Sequence, residues 1–232
     1  MSTSVTRCVR LLVSIVLAVG AISASAEQTE RPNVVFFLVD DLGWKDLSCY
    51  GSTFYETPNL DELANGGMRF TNAYAAACCC SPTRASIMTG QYPARLNLTT
   101  ILLGRRSPDD SPILPVYSRD FLPAEEVTVA EVLQAAGYAT GGFGKWGCGG
   151  RDSTGVPEKH GFDVFFGYYD QVHAHSFYPP YLIRNSEEVP LPGNTGDPHD
   201  GKTFSQYRIF DQSKEFIRAN KDRPFFAYLC WT

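Results

Sequence analysis

Two stretches of this chain combine residue types and spacings that could do chemistry. The first is Val39-Asp40-Asp41-Leu42-Gly43, with two adjacent carboxylates directly after the apolar run Asn33–Val39. Neighbouring carboxylates repel each other unless a cation or cationic side chains neutralise them, and their hard oxygens suit Ca²⁺, or less well Mg²⁺. A solvated turn at a strand end explains the same residues without a ligand. The second stretch is CCCSPTRASIMTG, Cys78 to Gly90. Ser81 as a cap and Pro82 in the first turn predict a short helix that stops at Gly90. Cys80 then stands at a helix N-terminus, where free N–H groups and the dipole favour an anion. Arg84 lies one turn along, with a planar guanidinium that could hold an oxyanion. On the residues alone Cys80 is either an activated thiol beside an anion pocket or a buried structural cysteine.

The elements that must position these residues alternate along the chain. Asn33–Val39 is the nearly unbroken apolar run of a buried parallel strand, which puts Asp40 and Asp41 at its carboxyl end. Ligand crevices of open α/β sheets lie at that end. TPNLDELANGG predicts a helix capped by Thr57, with Pro58 first and Gly66–Gly67 as the stop. MRFTNAYA (68–75) predicts a strand. TVAEVLQAAGY predicts a helix with a Thr128–Glu131 capping box and Gly137 as its stop, followed by a short strand in YATGGFG. Ser205–Asn220 predicts an amphipathic helix and Pro224–Trp231 another buried strand. Such alternation implies an α/β fold with helices on both faces of the sheet. The stretches from Leu98 to Pro123 and from Gly147 to Gly201, rich in Pro, Gly and polar residues, predict long loops over the site.

Coarser features bound the function. The chain has 232 residues and a formal net charge of −5, without a polybasic run, so nucleic acid is not an expected partner. Arg7 and Arg10 precede an apolar run of about a dozen residues, short of the roughly 20 that span a membrane. The small residues up to Ala26 complete the pattern of a secretory signal peptide over 1–26. The expected mature form, 27–232, is exported to the periplasm or outside, with no membrane segment. Export permits disulfides, yet the remaining cysteines show no repeated framework and no matched CxxC pairs for zinc.

CSPTRASIMTG resembles the signature of the type I sulfatases: Cys-x-Pro-x-Arg, two residues, two apolar residues, then Thr-Gly. RPNVVFFLVDDLGW resembles the family's first strand and its metal-binding Asp pair. TPNLDELANGGMRFTNAYA resembles the elements that follow, and GYATGGFGKW resembles its second signature, with the lysine at Lys145. The resemblance implies an alkaline-phosphatase-like three-layer sandwich with a mostly parallel central sheet, incomplete at the C-terminus. It implies hydrolysis of sulfate esters of carbohydrates or aryl compounds. Asp40, Asp41 and residue 80 would ligate the cation. A formylglycine-generating maturation enzyme would oxidise Cys80 to Cα-formylglycine, whose hydrate attacks sulfur. Lys145 and Arg84 would share the sulfate charge.

Two features depart from the family pattern. Gly147 stands where the family often has a histidine that contacts the formylglycine hydroxyl, and the chain stops at PFFAYLCWT, before further family site residues. This chain alone is therefore expected to be inactive. DQVHAHSFYPPYL resembles bacterial sulfatases that also lack that histidine, many of which act on sulfated polysaccharides, and it offers His175 as a catalytic candidate. A metal-binding pair on a strand, or loop histidines packed among Tyr and Pro, are the alternative readings of His173 and His175. Three rival functions stay open: a phosphonate or phosphate ester hydrolase using the same signature, a non-catalytic binder of sulfated glycans, and a zinc or redox protein built on the cysteine triplet.

Overall fold

The computed structural model describes residues 31–102 and 117–232. The expected signal peptide lies outside these residues, as does part of the Leu98–Pro123 stretch. In chain order the elements are β1 (Val34–Val39), α1 (Pro58–Gly66), α2 (Cys80–Thr89), α3 (Pro93–Leu96), α4 (Val129–Ala135), β2 (Ala139–Lys145), β3 (Val164–Tyr168), α5 (Gln171–Ala174), β4 (Tyr181–Arg184), β5 (Glu187–Pro190), α6 (Ser205–Asn220) and β6 (Phe225–Trp231). The strands form one sheet in the order β1-β6-β2-β3-β4-β5. β1, β6, β2 and β3 run parallel, and β4 and β5 add an antiparallel edge.

β6 shows why this sheet needs helices on both faces. Its alternate residues Phe226, Tyr228 and Cys230 join one core with Ala85 and Met88 of α2, Ala130 of α4, Trp146 and Phe162. Phe225, Ala227 and Leu229 point the other way, into a core with Phe143 of β2 and with Ile209 and Phe216 of α6. A strand buried on both faces must be apolar at every position, which is the pattern PFFAYLCW carries.

Local signals set several boundaries. The capping box of α4 forms as predicted: Glu131 N–H donates to Thr128 Oγ1 at 3.2 Å, and Thr128 N–H to Glu131 Oε2 at 2.9 Å. α2 stops at Gly90, which has φ +69° and donates its N–H to the Ser86 carbonyl at 2.8 Å. Its start differs from expectation. The helix begins at Cys80 with Cys79 as N-cap, and Ser81 lies inside the first turn with its hydroxyl used elsewhere. Thr57 precedes α1 as predicted, but its Oγ1 accepts from Ser48 N–H at 3.0 Å rather than capping the helix.

Three expectations are corrected. β1 forms but is not buried, because it is the edge of the sheet among the described residues; Phe37 is 60% exposed. Residues 68–75 are not a strand: no described strand lies beside them to pair with, and Met68, Phe70 and Tyr74 are exposed. The stretch from Gly147 to Gly201 is not one long loop, since it contains β3, α5, β4 and β5. Their strands have only four or five residues and are separated by turns, so Gly and Pro dominate the composition there.

Candidate active site

Parallel pairing brings the carboxyl ends of β1, β6 and β2 to one side. Val39 is in register with Trp231, Gly144 with Cys230, and the Asp40 N–H continues the ladder to the Trp231 carbonyl at 3.0 Å. Asp40 and Lys145 thus sit at two strand ends with β6 between them. Gly144 makes this approach possible: it has φ +100°, and a Cβ there would lie 1.8 Å from the Cys230 carbonyl oxygen.

The side chains converge on one carboxylate. Lys145 donates from Nζ to Asp40 Oδ2, and Arg84 Nη2 lies 3.4 Å from Asp40 Oδ1. Arg84 also donates from Nη1 to the backbone carbonyl of Lys145. Arg84 and Lys145 are buried, while the Asp40 side chain keeps 16% exposure. Burial alone would raise the Asp40 pKa, but the Lys145 hydrogen bond and the Arg84 charge outweigh it and hold the carboxyl below its usual value. Burial likewise opposes the Arg84 charge, and the neighbouring Asp40 carboxylate favours it. Two cations against one carboxylate leave net positive charge. Arg84 Nε is buried and makes no hydrogen bond among the described residues, and Nη2 makes only the long 3.4 Å approach to Asp40, so donor capacity is left for an anion.

Cys80 is the first residue of α2, one turn before Arg84 on the same side of the helix, so the positive helix end joins the same cluster. Asp41 is exposed and adopts φ +55°, turning the chain away after Asp40. Among the described residues no group of three or more His, Cys, Asp or Glu is arranged to hold a metal ion. Asp40 and Asp41 still fit a hard cation in donor chemistry, but they supply only part of the roughly six to eight oxygens Ca²⁺ takes.

The histidines separate. His173 is half-buried, with Nε2 2.9 Å from the Tyr181 carbonyl and its ring against Tyr168 and Tyr181. His175 is exposed at the end of α5 with no side-chain partner among the described residues, and is not part of the Asp40–Arg84–Lys145 cluster. Cys148 and Cys230 are fully buried beside Arg84, and burial pushes their thiols up to about 12 and about 11. They are inert core residues.

Sequence reasoning missed Gln171 and the use made of Ser81. Gln171 Nε2 donates to Ser81 Oγ at 2.6 Å and reaches the Gly147 carbonyl at 3.4 Å. A usable signal existed in Asp170, which caps α5 by accepting from His173 N–H at 2.8 Å and so puts Gln171 at the helix start.

A sequence model of the sulfatase family, described as Sulfatase, matches residues 32–231. Human arylsulfatase A is 36% identical over 224 residues, covering 90% of this chain and 42% of the relative. Rat N-acetylgalactosamine-6-sulfatase is 35% identical over 237 residues, covering 96% and 43%. The crystal structure of Ps i-CgsB in complex with k-i-k-neocarrahexaose superposes with a TM-score of 0.70 at 26% identity, covering 88% of this chain and 45% of that one. The chain therefore spans less than half the length of these relatives. The parallel sheet with Asp40 and Lys145 at its strand ends, the Cys80–Arg84 helix beside them and these matches together place the chain in the sulfatase family.

Proposed function

We propose that this chain carries the nucleophile-bearing part of an exported sulfatase that hydrolyses sulfate esters of carbohydrates. The observation that carries this reading is the convergence of buried Arg84 and Lys145 on Asp40 beside the N-terminus of α2. Net positive charge, a guanidinium with donor capacity to spare at Nε and a helix end form a preorganised surround for a tetrahedral oxyanion. A nucleophile at position 80 lies at that surround. A formylglycine made from Cys80 by a maturation enzyme would supply a hydroxyl nucleophile with a built-in route for releasing sulfate. Asp40 and Asp41 would ligand Ca²⁺, with the missing oxygens coming from residue 80, water, substrate or further protein groups.

Lys145 and Arg84 hold the sulfate oxygens, and Asp40 keeps both cations charged and oriented. His175, exposed at the C-cap of α5, is the candidate for a group that meets substrate from outside the buried cluster. The carbohydrate substrate class is supported by the relative named for N-acetylgalactosamine 6-sulfate chemistry and by the structure solved with a neocarrahexaose. Export rests on the signal-peptide pattern over 1–26. Among the described residues no helix is long and apolar enough to cross a membrane.

The test is parallel turnover of aryl sulfate, aryl phosphate and aryl phosphonate by the intact enzyme carrying this chain, with mass spectrometry of the residue-80 peptide. Sulfate turnover with an aldehyde at position 80 is the expected result. Preferential phosphonate or phosphate turnover would move the assignment to the related ester hydrolases. An unmodified Cys80 with glycan binding alone would make the protein a binder.

A further inference from the structure

Gln171 is 2% exposed, yet it is a polar side chain placed between three segments. Its Nε2 donates to Ser81 Oγ at 2.6 Å and, more weakly, to the Gly147 carbonyl at 3.4 Å. Ser81 Oγ also accepts from Leu102 N–H at 3.1 Å. The Gly147 carbonyl fixes the amide orientation, because exchanging the two amide atoms would set two acceptors against each other. Gln171 Oε1 is then left buried with no hydrogen-bond partner among the described residues.

Gly147 and Gln171 are mutually dependent. A Cβ at 147 would lie 2.5 Å from Gln171 Nε2 and 3.1 Å from Arg84 Cδ, at a backbone φ of +72°. Gln171 therefore fills the volume that a side chain at 147 would use. Its reach ends on Ser81, the neighbour of Cys80 in the first turn of α2. First turns lack intrahelical partners for their N–H groups and fray readily unless held from outside.

We propose that Gln171 is the positioning residue for the nucleophile at position 80. Through Ser81 it fixes the first turn of α2 against the Lys145–Gly147 segment, from the space that a side chain at 147 would otherwise occupy. This inference rests on the reading of Cys80 as the nucleophile. Gln171 itself does not touch the reacting atoms. It holds the distance between residue 80 and the Lys145–Arg84 charges, and a positional error of about 1 Å is enough to lower a rate about 10²-fold.

The first measurement uses the unmatured chain in a Cys78→Ser/Cys79→Ser background, labelled with iodoacetamide and read by peptide mass spectrometry. Gln171→Ala should change the Cys80 alkylation rate at least threefold while buried Cys148 and Cys230 keep their protection. An unchanged Cys80 rate, or a change matched in proportion by Cys148 and Cys230, overturns the proposal, because the first turn is then either not held by Gln171 or lost only with the whole fold.

The second measurement uses the matured intact enzyme. Gln171→Ala should lower kcat at least tenfold with KM within threefold. Gln171→Met, which refills the emptied space without an amide donor, should recover melting temperature relative to Gln171→Ala but not kcat. Recovery of kcat together with melting temperature would reduce Gln171 to packing and overturn the proposal. A Cys80→Ala control that keeps turnover would sink the functional assignment instead, and the alkylation result would still decide whether Gln171 holds the turn.

Discussion

Arg84 donates from Nη1 to the backbone carbonyl of Lys145, while the Lys145 ammonium rests on Asp40. A helix side chain thereby fixes the last residue of a strand, and that strand end carries the cation. The arrangement couples the signature helix to the sheet without a covalent link. It also makes Asp40 the only carboxylate paired with these two buried cations among the described residues.

Asp40→Asn should cost about 3 kcal/mol of unfolding free energy, at the low end for breaking a buried pair because Asp40 is partly exposed. It leaves two buried cations facing a neutral amide. Asp40→Asn/Lys145→Met should lose less than Asp40→Asn alone, since one of those cations is gone. Urea unfolding of the four proteins in this cycle checks the claim. Strictly additive losses would mean that the two side chains are not energetically coupled.

Cys80→Ala in the matured intact enzyme should abolish aryl-sulfate turnover and leave the melting temperature nearly unchanged, because Cys80 is a half-buried first-turn residue outside both cores. Cys78→Ser and Cys79→Ser should be mild. Activity within about tenfold of wild type, worth about 1.4 kcal/mol of barrier, would remove Cys80 from the mechanism.

Much of the frame was legible because it depends on periodic or short-range signals. The continuous apolar run of β6 predicts a covered parallel strand, and Thr128–Glu131 predicts its own cap. Asp40, Arg84 and Lys145, which the fold brings together, each lay in a stretch singled out from the sequence: two at the ends of the strands that flank β6, and one in α2. What was not legible depends on contacts distant in sequence. Gln171 meets Ser81 across 90 positions, and no periodicity or cap reports such a pair. Residues 68–75 alternate like a strand, but a strand exists only when another one pairs with it. β1 has the composition of a buried strand, and its exposure follows from its place in the strand order, which composition does not encode.

Gly144→Ala should destabilise the fold by about 3 kcal/mol or more, through a clash with the Cys230 carbonyl and an unfavourable positive φ. The displaced strand end carries Lys145, so turnover should fall along with stability. Gly150→Ala is the control, as nothing lies within 4 Å of a Cβ built there. Equal melting temperatures for the two variants would contradict the close approach of β2 to β6.

His173 should give the protein a stability slope in mild acid. Burial pushes its imidazole below the ordinary value of 6.5, partly offset by the hydrogen bond to the Tyr181 carbonyl. The folded state therefore prefers the neutral ring, and as pH falls the unfolded chain takes up the proton first. The contribution of His173 is complete above about pH 6.5 and is lost as pH falls below that through the folded value. His173→Gln should flatten the loss of melting temperature between about pH 6.5 and pH 5. A variant with the same slope as wild type would assign the acid sensitivity to other groups.

The chain on its own should self-associate through β1. This strand is the sheet edge among the described residues, and Phe36 and Phe37 are exposed, with Trp44, Met68 and Tyr74 exposed as well. An apolar edge with free backbone N–H and carbonyl groups is a template for pairing with another copy. Phe37→Lys places a charge on that edge without touching either core, and should lower light scattering and shift the protein toward monomer in sedimentation experiments. Phe54→Lys, at a position more exposed than Phe37 (83% against 60%) but outside any strand, is the comparison. If both substitutions reduce association alike, general surface apolarity and not the β1 edge is responsible. If only Phe37→Lys does, strand pairing at β1 drives the association.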